Sequence, residues 1–373
     1  MDAGQAARAR ALCAGDLDWD DVIGTARRHG LDPLLYRHLS AIGSEHVPAE
    51  RLSQLRAHFE TNAVRNRLLT VELAKILTLF EGHRIPAIPY KGPVLAASVY
   101  GDLALRRFAD LDVLVRREDV VRCTDVLRKL GYQPRLALSP AEEAAYLASQ
   151  CERNFDRDRG RLSVEVHWDI VPRDFAFRID VARIWRTARP ISFDGLTVLA
   201  PRPEDLLFML AVHGAKHLWE RLGWLCDIAE LLRAHPDLDW PSLFACARER
   251  GGTRMLLLAL VLAGDLLDAT LPAPVVTEAR RDPTVATLAR RIGGWLAHGT
   301  TPALRSMQAL RSHLEMREHL GARVAHVLRV ALTPTFEDWA WLRLPAGLLG
   351  AHYLLRPLRL AAKHGAMRLG RAP

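Results

Sequence analysis

Residues 90–115 read Tyr90-Lys91-Gly92-Pro93-Val94-Leu95-Ala96-Ala97-Ser98-Val99-Tyr100-Gly101-Asp102-Leu103-Ala104-Leu105-Arg106-Arg107-Phe108-Ala109-Asp110-Leu111-Asp112-Val113-Leu114-Val115. A Lys-Gly turn follows an apolar run and opens about two helical turns over 93–100. The second half has the alternation of a strand. Side chains alternate across a strand, so Asp110 and Asp112 share one face while Leu111, Val113 and Val115 bury the other. Two carboxylates placed together in this way are expected to hold a divalent cation. Metal-assisted phosphoryl chemistry is therefore the leading expectation.

Upstream, Ile85-Pro86-Ala87-Ile88-Pro89-Tyr90 is short, apolar and proline-marked, the pattern of an edge strand. Residues 1–80 carry helical periodicity at Leu31, Leu34, Leu35 and Leu39 and again at Leu68, Leu69, Leu73, Ile76 and Leu77, punctuated by Gly30, Gly43 and Pro48. Downstream, the pattern predicts a helix over 118–130 that stops at Gly131. A second is predicted over 140–150, with Ser139 as cap and Pro140 at the first position. Leu162 to Ile170 alternate: Leu162, Val164, Val166 and Trp168 face one way, and Ser163, Glu165, His167 and Asp169 face the other. A hairpin over 191–199 turns at Asp194-Gly195. From Pro201 onward the pattern is helical, with Pro203-Glu204-Asp205 as a start signal. Further helices are predicted at about 221–234, 241–250, 254–269, 275–298 and 303–329. The expected organisation is an N-terminal helical region (1–83), an α/β unit (84–200) and a C-terminal helical domain (201–373).

Composition fits this layout. A chain of 373 residues with 49% hydrophobic and 25% charged residues is a globular protein of two or three packed units. The net charge of +8 suits a phosphate-bearing ligand, and equally an arginine-rich surface, because the positive charge is spread without a block. Cys13, Cys123, Cys151, Cys226 and Cys246 have no CxxC spacing, which argues against zinc and a disulfide framework and for a reducing cytoplasm. The first residues lack the pattern of a secretory signal, and no apolar run is long enough to span a bilayer.

Two-metal phosphoryl transfer needs a third carboxylate from a neighbouring strand. Glu165, between Val164 and Val166 on a polar strand face, is the candidate. Lys91-Gly92, Arg106, Asp110-Leu111-Asp112 and Val164-Glu165-Val166-His167-Trp168 occur in an order that resembles the polymerase-beta-like nucleotidyltransferase superfamily. Within it, they are similar to the branch of uncharacterised bacterial nucleotidyltransferases. His213-Gly214-Ala215-Lys216-His217, Trp224 and Asp227-Ile228-Ala229 resemble the helices that follow its catalytic unit. Asp338-Trp339, Leu344-Pro345 and Arg356-Pro357-Leu358-Arg359 resemble its closing segment.

The resemblance implies an α+β fold, a mixed sheet with flanking helices, set between the two helical regions. It also implies transfer of a nucleoside monophosphate from an NTP, ATP first among them, to an acceptor hydroxyl. Asp110 and Asp112 would bind Mg²⁺ or Mn²⁺, with Glu165 completing the metal site and helping to deprotonate the acceptor. Gly92 would let the backbone approach the triphosphate, and Lys91 and Arg106 would neutralise its charge. Two departures stand out. Pro93 follows Gly92 where a residue with an N–H is usual, and the gap from Gly92 to Asp110 is long.

His167 shares the Glu165 face and reads as a metal ligand, a general base or, ahead of both, a histidine that orients a carboxylate. His213, Lys216 and His217 lie on one side of a helix, either as a phosphate- or base-contacting wall of the cleft or as a solvated face. Trp219, Trp224, Trp339 and Trp341 are core residues or base-stacking platforms. The basic amphipathic segment 354–360 either packs on the helical domain or touches an anionic membrane surface. The acceptor classes implied are a peptide (a ribosomal peptide among them), a protein, an RNA end or a small molecule. The alternatives are a non-catalytic nucleotide- or partner-binding module that keeps the fold, and a toxin–antitoxin component.

Overall fold

The computed structural model describes residues 3–43, 46–304, 306–342 and 344–368. Helices α1 (Ala3–Cys13), α2 (Trp19–His29), α3 (Asp32–Ile42) and the 34-residue α4 (Ala49–Gly82) come first. Next follow β1 (Ala87–Pro89), α5 (Gly92–Leu95) continuing through a π-helical turn over Ala96–Tyr100, β2 (Asp110–Val115), α6 (Val120–Lys129), β3 (Gln133–Pro134) and α7 (Pro140–Ser149). Strands β4 (Glu152–Arg157) and β5 (Leu162–His167), helix α8 (Val181–Thr187) and the hairpin of β6 (Arg189–Phe193) and β7 (Leu196–Ala200) complete the mixed part. Then come α9 (Pro203–Lys216), α10 (Leu222–Ala234), α11 (Trp240–Arg250), α12 (Thr253–Leu267), α13 (Ala273–Arg281) and α14 (Pro283–His298). The chain closes with α15 (Met307–Glu315), α16 (Leu320–Leu332), α17 (Phe336–Trp341) and α18 (Ala351–Arg368).

The sheet runs β1-β2-β5-β4-β3, with β2 and β5 parallel and the other neighbours antiparallel. Its register follows from side-chain alternation. Leu111 stands opposite Val164 and Val113 opposite Val166, which makes one face of β2–β5 apolar. That face packs on Leu69, Leu73, Ile76 and Phe80 of α4 and on Val120, Cys123 and Leu127 of α6. Slipping β5 by one residue would drive Glu165 into this cluster, so the buried face fixes the acidic one. On the other face, Ile88, Tyr90 and Leu114 join the large cluster built by α9, α10 and α12.

The long gap before Asp110 has a structural purpose. Asn62 and Asn66, buried on α4, donate to the carbonyls of Ala104 (2.8 Å), Leu103 (2.6 Å) and Arg106 (2.7 Å), and Arg65 donates to that of Phe108 at 2.7 Å. The helix thereby satisfies the backbone of an irregular segment that would otherwise be buried without partners, and it sets where β2 begins.

Several sequence expectations change in detail. The stretch read as one helix over 275–298 is two, because Asp282 caps a new helix with Pro283 at its first position. The expected helix over 303–329 is also two, α15 and α16. Strands β3 and β4 had no counterpart in the sequence reading. Arg356 of the 354–360 segment is buried and pairs with Asp338, while Leu354 and Leu358 face outward. No helix among the described residues is long and apolar enough to cross a membrane.

Candidate active site

Asp110 and Asp112 project from the polar face of β2, and the parallel register sets Asp112 directly opposite Glu165 on β5. Ligand atoms of Asp112, Glu165 and His167 all lie within 4.8 Å of one another. A cavity of about 310 Å³ opens over them. Its walls include Lys91, Arg106, Asp110, Asp112, Glu165 and His167 on the sheet side and His213, Lys216, His217 and Trp224 from α9 and α10. Apart from Trp219, Trp339 and Trp341, the candidate side chains named from the sequence therefore meet in one cleft. Gly92 is not among the lining residues and packs instead against the Asp110 backbone.

Charge is tightly organised there. Lys91 donates from Nζ to Asp112 Oδ1 at 2.7 Å, and His167 Nε2 lies 3.2 Å from the same oxygen and 3.4 Å from Glu165 Oε2. Burial alone would raise the Asp112 carboxyl, but Lys91 and His167 hold it well below the usual carboxylate range. Burial, with the charges of Asp112 and Glu165, pushes Asp110 up to about 6. Burial would lower Lys91, yet the surrounding carboxylates keep its pKa above the ordinary lysine value. His167 follows the same logic. Burial opposes its charge, while hydrogen bonds to Asp112, Cys151 and Glu165 and the charge of Glu152 raise its pKa well above an ordinary imidazole. Hard carboxylate oxygens converge where an ammonium already sits, which is the donor chemistry that Mg²⁺ or Mn²⁺ takes.

Gly92 has φ +54°, and a Cβ there would stand 3.1 Å from the Asp110 carbonyl oxygen, so only glycine fits the turn without strain. Pro93 occupies the first turn of α5, where its missing N–H has no intrahelical partner to lose. His213, His217 and Trp224 form a ring cluster with centroids 4.8–5.2 Å apart. Burial and the nearby cations, Lys91 foremost for His213 and Lys216 for His217, hold both imidazoles well below their usual pKa, so they are neutral wall residues.

A family model described as uncharacterised nucleotidyltransferase matches residues 15–268. The chain belongs to this family. Among curated proteins none matches it. The solution structure of the antibiotic-resistance factor ANT(2'')-Ia is similar at 10% identity and a TM-score of 0.38, over 50% of this chain and 94% of that one. The family match ends before Asp338, so the likeness read in the closing segment lies beyond it.

Two residues that hold site side chains were given no role from the sequence: Asp227, quoted there only within a resemblance, and Glu152. Asp227 on α10 receives Arg106 Nε at 2.7 Å and Nη2 at 2.9 Å, and Tyr100 donates to it at 2.7 Å. Arg106 thus spends most of its fork on a buried carboxylate and ties the β2 approach to α10. A lone acid within Leu225-Cys226-Asp227-Ile228-Ala229 was the available signal, since such a group requires a partner. Glu152, on the unread β4, lies 3.5 Å from His167 Nδ1. Together with Cys151 these form a second close trio, but burial, then Glu152, pushes the Cys151 thiol up to about 12, and a protonated thiol is a poor ligand. Asp169 accepts from the Ile170 backbone N–H at 2.7 Å. Of the tryptophans, Trp219 and Trp339 are core, and Trp341 is exposed.

Proposed function

We propose that the nucleotidyltransferase transfers a nucleoside monophosphate from an NTP, ATP first among candidates, to an acceptor hydroxyl by a metal-dependent route. The observation that carries the proposal is the facing pair Asp112–Glu165, with Asp110 two residues earlier on the same strand face. Asp110, Asp112 and Glu165 would hold Mg²⁺ or Mn²⁺, whose chemistry is to neutralise phosphate charge and stabilise the attacking and leaving oxygens. Glu165 takes the acceptor hydroxyl proton as its oxygen bonds to the α-phosphorus and the bond to the β-phosphate oxygen breaks. Lys91 turns from Asp112 to the departing pyrophosphate, the natural role of a mobile point charge. His167 holds Asp112 and Glu165 in register, and His213, Lys216 and His217 close the cleft from α9. We assign catalysis to residues 84–200, with the flanking helical regions shaping the acceptor side. A hydroxyl of a peptide, protein, RNA end or small molecule fits this chemistry.

One observation favours a second reading, a non-catalytic module that binds a nucleotide or a partner: the Lys91 ammonium sits on the Asp112 oxygen a metal would use. Thermal shift with NTP, with and without Mg²⁺, separates the two. Metal-dependent stabilisation lost in Asp110→Asn/Asp112→Asn supports transfer. Binding that ignores the metal, or ignores those substitutions, supports the module. In a labelled-NTP transfer assay on cell extract, Glu165→Gln should abolish labelling while nucleotide binding survives. Labelling that persists in that variant would remove Glu165 from its role.

A further inference from the structure

Beside the cleft, where acidic and basic side chains are balanced, lies a second cavity of about 470 Å³ in which basic ones predominate. Six guanidinium groups line it: Arg27 and Arg28 from α2, Arg65 from α4, Arg106 and Arg107 from the segment before β2, and Arg221 at the start of α10. One carboxylate, Asp227, is among its lining residues, and Arg106 already occupies both of its oxygens. Arg107 reaches Asp32 at 3.1 Å, and Arg28 approaches Asp21 at 3.9 Å. Arg27, Arg65 and Arg221 have no carboxylate partner among the described residues. Arg65 uses one N–H on a backbone carbonyl, and Arg221 lies over the Trp224 ring, 6.0 Å from its centroid.

Arginines at the end of a single helix would simply answer its dipole. Here they converge from four separate segments onto one concavity, and their fields meet. Burial lowers the His29 pKa, and the charges of Arg28 and Arg221, from helices far apart in sequence, lower it further. Like charges held around a concave surface repel one another and raise the local concentration of anions. Guanidiniums match phosphate and carboxylate oxygens geometrically.

The two cavities share walls at Arg106, Arg107, Phe108, Ala109, Arg221 and Trp224. Lys91, Asp110, Asp112 and Glu165 line only the first. Arg27, Arg28 and Arg65 line only the second, so a triphosphate held at those carboxylates in the first cavity leaves these three arginines to another anion. We propose that the arginine-lined cavity is an anion subsite for the acceptor, so that the acceptor class is a phosphate- or carboxylate-bearing molecule whose hydroxyl extends past Arg106 to Glu165. The acceptor role rests on the transfer reading above. The anion subsite rests on the cavity alone.

The test uses inorganic phosphate as probe on the full chain, in EDTA and at ionic strength matched with chloride, following the thermal midpoint. Phosphate should stabilise the wild-type protein without metal. Its apparent affinity should fall by at least about tenfold in Arg27→Ala/Arg221→Ala, the loss of charge-assisted contacts, and stay unchanged in Asp110→Asn/Asp112→Asn. Both arginines are exposed, and the midpoint of their variant in chloride alone, with Arg27→Ala as the milder version, reports its folding. No stabilisation by phosphate, or equal stabilisation in the arginine variant, overturns the subsite. The titration is then repeated with Mg²⁺ and a non-hydrolysable NTP analogue. Phosphate that still binds supports the acceptor assignment. Phosphate displaced competitively means that the cavity holds the nucleotide's own phosphates, which overturns it. If the analogue binds without metal while the arginine-dependent phosphate effect persists, the metal-dependent reading fails and the subsite stands.

Discussion

Asp227→Ala should be among the most destabilising single changes in the molecule. The carboxylate is 2% exposed and its partner Arg106 is 11% exposed, with two N–H donors at 2.7 and 2.9 Å and the Tyr100 hydroxyl at 2.7 Å. Removing the acid strands a buried guanidinium, which costs about 3–5 kcal/mol, and leaves a buried hydroxyl short of an acceptor, about 1 kcal/mol more. That is a large share of a typical folding free energy of about 5–15 kcal/mol. Arg106→Met alone should cost less than the loss of the acid, because a carboxylate with Tyr100 still beside it is partly satisfied. The double variant Arg106→Met/Asp227→Leu should recover most of the loss, since an apolar pair of similar volume avoids desolvating two charges. Urea unfolding followed by circular dichroism supplies the cycle. A cost below about 1 kcal/mol for Asp227→Ala, or single effects that simply add in the double variant, would refute the claim that Arg106 is chiefly held by Asp227.

Two other outcomes follow from the geometry. Gly92→Ala forces a Cβ into a left-handed turn against the Asp110 carbonyl, so it should cost about 1–2 kcal/mol in unfolding experiments and weaken metal-dependent nucleotide binding, whereas Gly101→Ala, with open space around it, should leave that binding intact. Stability should also fall on mild acidification. Burial first, then Arg317, lowers His313 to about 3 and His326 to about 4, below the ordinary imidazole value, so the unfolded chain takes up protons first as pH drops below about 6.5. Each should cost roughly 2 kcal/mol between pH 7 and pH 5. His167, raised rather than lowered, acts in the opposite direction: its contribution is complete below about 6.5 and is lost only as pH climbs through its folded value. Urea midpoints at pH 7 and pH 5 should diverge less in His326→Gln. An unchanged gap would contradict the assignment.

The parts of the fold legible in the sequence are those where burial and chemistry are sorted by alternation. Strands β2 and β5 have one apolar face on the α4 cluster and one acidic face in the cleft, so period two shows in the residues themselves. Strand β4 does not, because Arg153 is buried there by pairing with Glu143 of α7, and a buried arginine erases the apolar signal. Glu152 was missed with it. The role of Asp227 was missed for a different reason: its partner Arg106 lies 121 residues away, and pairing across that distance leaves no mark on local spacing. The α13–α14 break was written in Asp282-Pro283, but apolar periodicity on both sides masked it. The arginine cavity was the least legible feature, since its six residues come from four segments and look singly like ordinary surface charge.

The tethered ammonium of Lys91 has a thermodynamic consequence. A cluster of carboxylates with no cation would repel itself and lean toward protonation, yet here the chain carries its own counterion. Under the proposed chemistry, binding a divalent ion becomes an exchange of cations, and the net affinity is smaller than the carboxylates alone would give. Phosphate arriving with the metal gives the displaced ammonium a new partner. Metal and nucleotide then favour one another's binding, and by linkage each must do so by the same factor.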